Sequence, residues 1–380
     1  MIKNISLLFG SFIFMVILAE IVLQFMPVSE GFDFQDVNEK NWLFHSRPER
    51  RMVQASIGPA MRVNIKKQVN DSGFVNPLRY LKQNSNGLRP TPLVSVIGDS
   101  YVEAIQVEDN ETFFFHLDND NPQLDVYSFA FSGATLSQYL IWAKHSKETY
   151  NNKFLIINII GNDFNQSLIK HKSSAGFHYY EKSMTDELEL TRINLTKECN
   201  GEPSIFKDIL YCKFAINSSL ANYLLRNLKI MRTVQLFKAR FLEPPKTYIG
   251  NVLAEVNIER EQDSYQAIEA FFRDLPSYSG LEKKQILFVM NGMTTFYHSE
   301  EELKKAEMSY FGKMRRYFFK RSEELGYDYI DMHKIFNAHY QENEQHFEVK
   351  YDGHWNQLAH KLVADSIQSS LFWTRVISED

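Results

Sequence analysis

The chain has 380 residues, and 42 Lys and Arg against 47 Asp and Glu leave a formal net charge of −5. That balance excludes a nucleic-acid protein that binds by bulk charge. Hydrophobic residues at 44% and charged residues at 23% are near globular averages, so the chain can bury a core and is neither disordered nor a multi-span membrane protein. Two cysteines, Cys199 and Cys212, are too few for a disulfide scaffold or a four-thiolate zinc site.

From Ile5 to Met26 run 22 residues whose only charge is Glu20. A helical membrane span needs roughly 20 predominantly apolar residues, so one crossing is expected. Lys3 precedes the run and Glu30, Asp33 and Asp36 follow it. The positive-inside rule then leaves the amino terminus in the cytoplasm and the rest of the chain outside. A cleaved signal peptide has an apolar core of about 7–15 residues and a small-x-small cleavage site. This run is longer and no such site follows Met26, so residues 1–28 are read as a signal anchor, ahead of a cleaved signal or a buried core helix. Export is consistent with a disulfide between Cys199 and Cys212, although two unpaired buried thiols fit the same spacing.

Residues 29–90 contain the loop-like tetrapeptides NDSG and NSNG and are expected to form an irregular collar or a small sheet. The main domain is assigned to residues 91–375. Within it LVSVI (93–97), LDVYSFA (124–130), FLIINII (154–160), ILFVM (286–290) and YDYI (327–330) have the composition of strands buried on both faces. Between the third and fourth lies an insertion at about 164–262, with a helix predicted from the stripe Leu220, Leu224, Leu228 and Met231 and a break at Pro244-Pro245. One continuous helix is predicted from Ser299, with Glu302 completing a capping box and Leu303, Ala306, Tyr310, Met314 and Tyr317 on one face until Gly326. Strands alternating with helices define an α/β fold with a parallel sheet covered on both sides.

Chemistry-bearing residues gather after these strands, where open α/β sheets hold ligands. The first strand runs into Gly98-Asp99-Ser100, the second into Phe131-Ser132-Gly133 and the third into Gly161-Asn162-Asp163. Near the carboxyl terminus, Asp352-Gly353-His354 leads into an apolar helical stretch. An isolated Gly-Asp-Ser is more often a helix cap than a nucleophile. Together the four segments supply a nucleophile, oxyanion donors, a base and an acid.

On these four blocks the sequence resembles the SGNH (GDSL-type) hydrolases, over roughly residues 90–165 and 285–370. The resemblance implies a flavodoxin-like three-layer α/β/α sandwich. It implies Ser100 as nucleophile, the Ser100 and Gly133 amides with the Asn162 side chain as oxyanion hole, His354 as general base and acid, and Asp352 as its orienting partner. The anchored layout looks like that of members associated with acyl groups on surface polysaccharides. Two positions depart from the pattern. Ile160 stands where the third block usually has glycine, with Gly161 one place later, and Tyr351 stands at the usual site of the last block's acid.

A second Asp-x-His, Asp331-Met332-His333, follows the final strand directly and is read as a strand-end cap. No zinc-type histidine cluster, Walker loop or dinucleotide fingerprint occurs, so neither metal nor cofactor is expected. The expected chemistry is serine esterase action on an O-acyl, foremost O-acetyl, carbohydrate or small ester. The alternatives are O-acyl transfer to a surface polysaccharide, with a membrane acyltransferase partner, and a non-catalytic tethered glycan-binding protein. No nucleic-acid partner is expected.

Overall fold

The computed structural model describes residues 2–30, 34–46, 52–195, 218–230, 247–350 and 352–378. Helix α1 (Ile2–Gln24) carries the apolar run, and its stretch Ile5–Gln24 is long and apolar enough to cross a membrane, with no residue of it fully buried in the rest of the chain. Strands β1 (Met52–Ile57) and β2 (Val63–Gln68) pair antiparallel as a hairpin ahead of the main sheet.

Five strands build that sheet: β3 (Leu93–Gly98), β4 (Asp125–Ala130), β5 (Phe154–Ile159), β10 (Ile286–Met290) and β11 (Asp328–Asp331). All neighbours pair parallel, in the spatial order β11-β10-β5-β3-β4. Counting only these strands, that is the 2-1-3-4-5 order of a flavodoxin-like sheet. The segments between β3 and β4 hold α2 (Ser100–Glu103) and α3 (Phe113–Asn119), and α4 (Leu136–His145) joins β4 to β5. Because side chains alternate along a strand, each face receives its own core. Leu93, Ile97, Phe129, Leu155, Ile157 and Phe288 pack toward α4, whereas Val94, Val96, Val126, Ile156, Leu287 and Val289 pack toward α3 and the carboxyl-terminal helices.

Between β5 and β10 come two antiparallel hairpins, β6 (His178–Lys182) with β7 (Leu188–Arg192) and β8 (Tyr248–Ile249) with β9 (Val252–Leu253), and between them the short helix α5 (Ser219–Asn222). The stripe Leu220, Leu224 and Leu228 does not form one regular α-helix. After Asn222 the chain widens into a π turn over Tyr223–Asn227, and Met231 and Pro244-Pro245 lie outside the described residues. Helix α6 (Ile258–Ser279) begins inside the expected insertion and packs on α4, so the return to the sheet starts earlier than the composition indicates.

The helix predicted from Ser299 is two helices, α7 (Glu300–Met308) and α8 (Tyr310–Leu325). Ser309 makes the break, with extended backbone and a hydroxyl that accepts from the Gly312 amide at 3.3 Å. Gly312 is needed there, since a Cβ would stand 2.0 Å from Glu307 O. After β11 follow α9 (Met332–Asn343), α10 (Gln357–Gln368) and α11 (Leu371–Ser378), which cover the second face with Phe336, Val363, Ile367 and Phe372.

Candidate active site

Strand β3 ends in Gly98, where a Cβ would meet Val102 Cγ2 at 2.3 Å, so glycine lets the chain turn directly from strand into α2. Asp99 caps that single turn by accepting from the Tyr101 amide at 3.0 Å. Ser100 then stands at the tip of β3, beside β5, where the strand order reverses. Its Oγ lies 2.7 Å from His354 Nε2, across 254 residues of sequence. On the far side of the ring His354 Nδ1 meets Asp352 Oδ1. The same carboxylate oxygen accepts from the His354 amide at 3.1 Å. That local turn lets an acid two residues before the histidine reach the ring. With Nδ1–H committed to the carboxylate, Nε2 is left to accept the Ser100 proton. Burial pulls the Asp352 carboxyl upward, but the hydrogen bonds and charge of His354 and the charge of Lys229 together outweigh it and hold the group below its ordinary value.

Two aromatic side chains hold the histidine loop against the sheet. Trp355, buried, donates its indole N–H to Asn291 Oδ1 just past β10 at 2.8 Å. Tyr101, next to the serine, donates its hydroxyl to Gly353 O at 2.8 Å, and its ring sits 5.0 Å from that of His354. The other Asp-x-His is structural. Asp331 caps α9 through the His333 amide and pairs with Arg315, while His333 Nδ1 contacts the Tyr297 hydroxyl at 3.0 Å.

The Ser132-Gly133 turn and Asn162 follow β4 and β5 on the same edge of the sheet. Gly133 has a φ of +82°, and a Cβ would stand 2.9 Å from Lys172 Nζ. Asn162 is held by its neighbour: Asp163 accepts from the Ile160 amide at 2.8 Å and from the Tyr139 hydroxyl at 2.9 Å, which closes the turn around Asn162. Asn162 Oδ1 is buried without a partner among the described residues, and Nδ2 has only a 3.5 Å contact to Gln166 Oε1. A buried, undercommitted amide is a donor available to a ligand.

Three ionisable groups surround the Ser100 and Gly133 turns, and two of them, Glu103 and Lys172, escape motif reading. Glu103, on the turn of the nucleophile, accepts from the Ser132 amide at 2.9 Å and from the Ser132 hydroxyl, and burial pushes its carboxyl up to about 7. Lys172 donates to Gly133 O at 2.6 Å, and burial lowers its amine. Asp99 Oδ2 lies 3.2 Å from Ser100 Oγ. An ionised Asp99 would compete with His354 for the one hydroxyl proton, and burial, which raises the Asp99 carboxyl, weakens that competition. No spacing rule points to Glu103 or Lys172; the only available signal is that Glu103 lies one helical turn beyond the serine.

The β8–β9 hairpin explains the displaced glycine of the third block. A Cβ on Gly161 would lie 2.2 Å from Gly250 O, so this position must be glycine for the hairpin tip to seat, while Ile160 fills the core beneath. Cys199 and Cys212 lie outside the described residues. Among the described residues no group of three or more His, Cys, Asp or Glu is arranged to hold a metal.

No family model matches the chain, and no curated protein does. Solved structures do. A lipolytic protein of the G-D-S-L family from Veillonella parvula is 7% identical with a TM-score of 0.39, over 74% of this chain and 98% of its own. The acetyl xylan esterase AlAXEase is 11% identical with a TM-score of 0.36, over 73% and 99%. A two-domain esterase active on acetylated mannans is 11% identical with a TM-score of 0.35, over 75% of this chain and 50% of its own. These are similarities of fold at low identity, and the chemistry below rests on the geometry of Ser100, His354 and Asp352 instead.

Proposed function

We propose that the chain is a serine esterase that removes an O-acyl group, foremost acetyl, from a carbohydrate outside the cytoplasm. The observation that carries the ester chemistry is the line Ser100 Oγ, His354 Nε2, His354 Nδ1 and Asp352 Oδ1. His354 takes the hydroxyl proton as Oγ attacks the ester carbonyl, and the Ser100 and Gly133 amides with Asn162 Nδ2 stabilise the oxyanion. Collapse of the intermediate returns the proton from His354 to the leaving alcohol. Water, activated by the same imidazole, then releases the acid and restores Ser100. The carbohydrate and the extracytoplasmic side are supported by the apolar α1, its flanking charges and the resemblance of the anchored layout.

The test is labelling of the full chain in detergent with a fluorophosphonate, followed by acetate release from acetylated glycans. Labelling confined to Ser100 is expected; absence of labelling in folded protein overturns the esterase reading. For orientation, protease added to sealed spheroplasts is expected to reach the main domain, and protection would reverse it. Acyl transfer is the second reading, favoured by the Gly250-Asn251 tip against Gly161, because a covered site lets a positioned acceptor hydroxyl compete with water. Acylated sugar exceeding free acid when an oligosaccharide is supplied would establish transfer.

A further inference from the structure

The tip of the β8–β9 hairpin touches three of the four segments that carry the site. Gly250 O packs on Gly161, next to Asn162. Asn251 Nδ2 lies 3.4 Å from the hydroxyl of Tyr101, next to Ser100. Asn251 Oδ1 lies 3.9 Å from where a Cβ on Gly353, next to His354, would stand. Gly250 and Asn251 have φ values of +61° and +64°, the left-handed pair of a tight hairpin turn, so the backbone fixes where the Asn251 side chain starts. That side chain is exposed, and its hydrogen bond to Tyr101, at 3.4 Å, is the one it makes among the described residues and is long.

The direction of the reaction gives this position a meaning. His354 returns its proton to the leaving oxygen, so the alcohol part of the ester lies on the His354 side of the scissile bond. Asn251 stands against Gly353 on that side. An exposed amide, one donor end and one acceptor end on a rigid turn, complements adjacent hydroxyls and offers nothing to an aliphatic chain. On the same hairpin Tyr248 is 59% exposed, and an aromatic ring is a flat surface of the kind that pyranose C–H faces pack on.

We propose that the β8–β9 hairpin reads the alcohol portion of the ester, with Asn251 hydrogen-bonding a hydroxyl of a polyhydroxylated alcohol and Tyr248 packing on its ring. This rests on the esterase reading and adds the residues that select the leaving group. The same contacts would seat the acceptor sugar if the acyl group is transferred.

The experiment compares two esters with one acyl group and different alcohols, methyl 6-O-acetyl-glucopyranoside and hexyl acetate, in wild type, Asn251→Gly, Tyr248→Ala and Tyr248→Phe. Glycine suits the left-handed backbone at position 251, so Asn251→Gly removes the amide and keeps the turn. The expected result is that kcat/KM for the glycoside ester falls about tenfold further than that for hexyl acetate in Asn251→Gly, the scale of one substrate hydrogen bond, mostly through KM. Tyr248→Ala is expected to shift the ratio in the same direction and Tyr248→Phe to restore it. Equal losses on both esters, or no loss on either, overturn the proposal while leaving the esterase intact. Wild type that turns over neither ester and takes no fluorophosphonate overturns the esterase reading itself.

Discussion

The Glu103 carboxylate accepts from the Ser132 amide at 2.9 Å, so the helical turn that presents Ser100 also holds the loop that presents Gly133. One side chain therefore ties together the turn of the proposed nucleophile and that of a proposed oxyanion donor. Glu103 is almost wholly buried, and its group is pushed up to about 7 by that burial. An acid raised in the folded state binds its proton there while the unfolded chain has lost it, so folding stability falls as pH rises from the ordinary value of 4.5 to about 7. Above that window the penalty is complete, on the order of 3 kcal/mol. Glu103→Gln carries no such penalty and keeps an acceptor for Ser132. Its thermal midpoint is expected to exceed that of wild type at pH 8 and to match it at pH 4.5. A gap independent of pH would contradict the assignment.

Ser100→Ala and His354→Ala are each expected to abolish ester hydrolysis in folded protein. Residues that act as one unit show non-additive losses, so the double variant should be little worse than either single one. Asp352→Asn should retain more activity than His354→Ala, because losing the acid that orients the ring costs less than losing the base itself. Turnover of an aryl acetate with circular dichroism as the folding control decides this, and full activity in Ser100→Ala would refute the mechanism.

Asn162→Ala removes a donor whose amide has only a 3.5 Å internal contact. Loss of one oxyanion donor costs about 10²–10³ in turnover. The loss is expected in kcat with KM nearly unchanged, since the donor acts on charge that develops in the transition state. A rise in KM alone, seen in steady-state kinetics, would assign Asn162 to ground-state binding.

Gly161→Ala puts a methyl 2.2 Å from Gly250 O, and neither backbone can yield without moving the hairpin. The variant is expected to lose on the order of 1–3 kcal/mol of stability, as overpacked sites do. It should also lose discrimination between sugar and alkyl esters. Urea unfolding together with the two-ester comparison measures both, and wild-type values in each would show that the hairpin is not seated on Gly161.

Glu20, the one charge of the apolar run, is bound by a segment from the middle of the chain. Its carboxylate accepts from the Ser218 hydroxyl at 2.7 Å and from the Ser219 and Leu220 amides at 2.9 Å each. The segment that it caps also bonds to the collar, through Asn227 to Ser56 and to the Ser29 amide. Glu20→Ala, or deletion of residues 1–28, is expected to speed hydrogen exchange at residues 219 and 220 while the sheet amides keep wild-type protection. Unchanged exchange at 219 and 220 would show that α1 does not hold the segment.

By itself the sequence determined the five strands, their parallel pairing and the four polar blocks behind them. Buried parallel strands must be continuously apolar, and a glycine turn after such a strand is conspicuous. Of the two Asp-x-His pairs the sequence favoured the one that the structure sets against Ser100, reading Asp331 as a strand-end cap; in the structure Asp331 caps the following helix. What it could not reveal depends on contacts between distant segments. The break at Ser309, where extended backbone and the hydroxyl's cap on Gly312 start a second helix, does not show in the helical periodicity, which continues unbroken through it. The carboxylate of Glu103 on Ser132, the amine of Lys172 on Gly133 and the seat of Gly250 on Gly161 obey no spacing rule, since each pair meets only after the chain has crossed the sheet. Glu20 is the extreme case. In one dimension it reads as a flaw in a membrane helix, and in three it caps a helix 198 residues away.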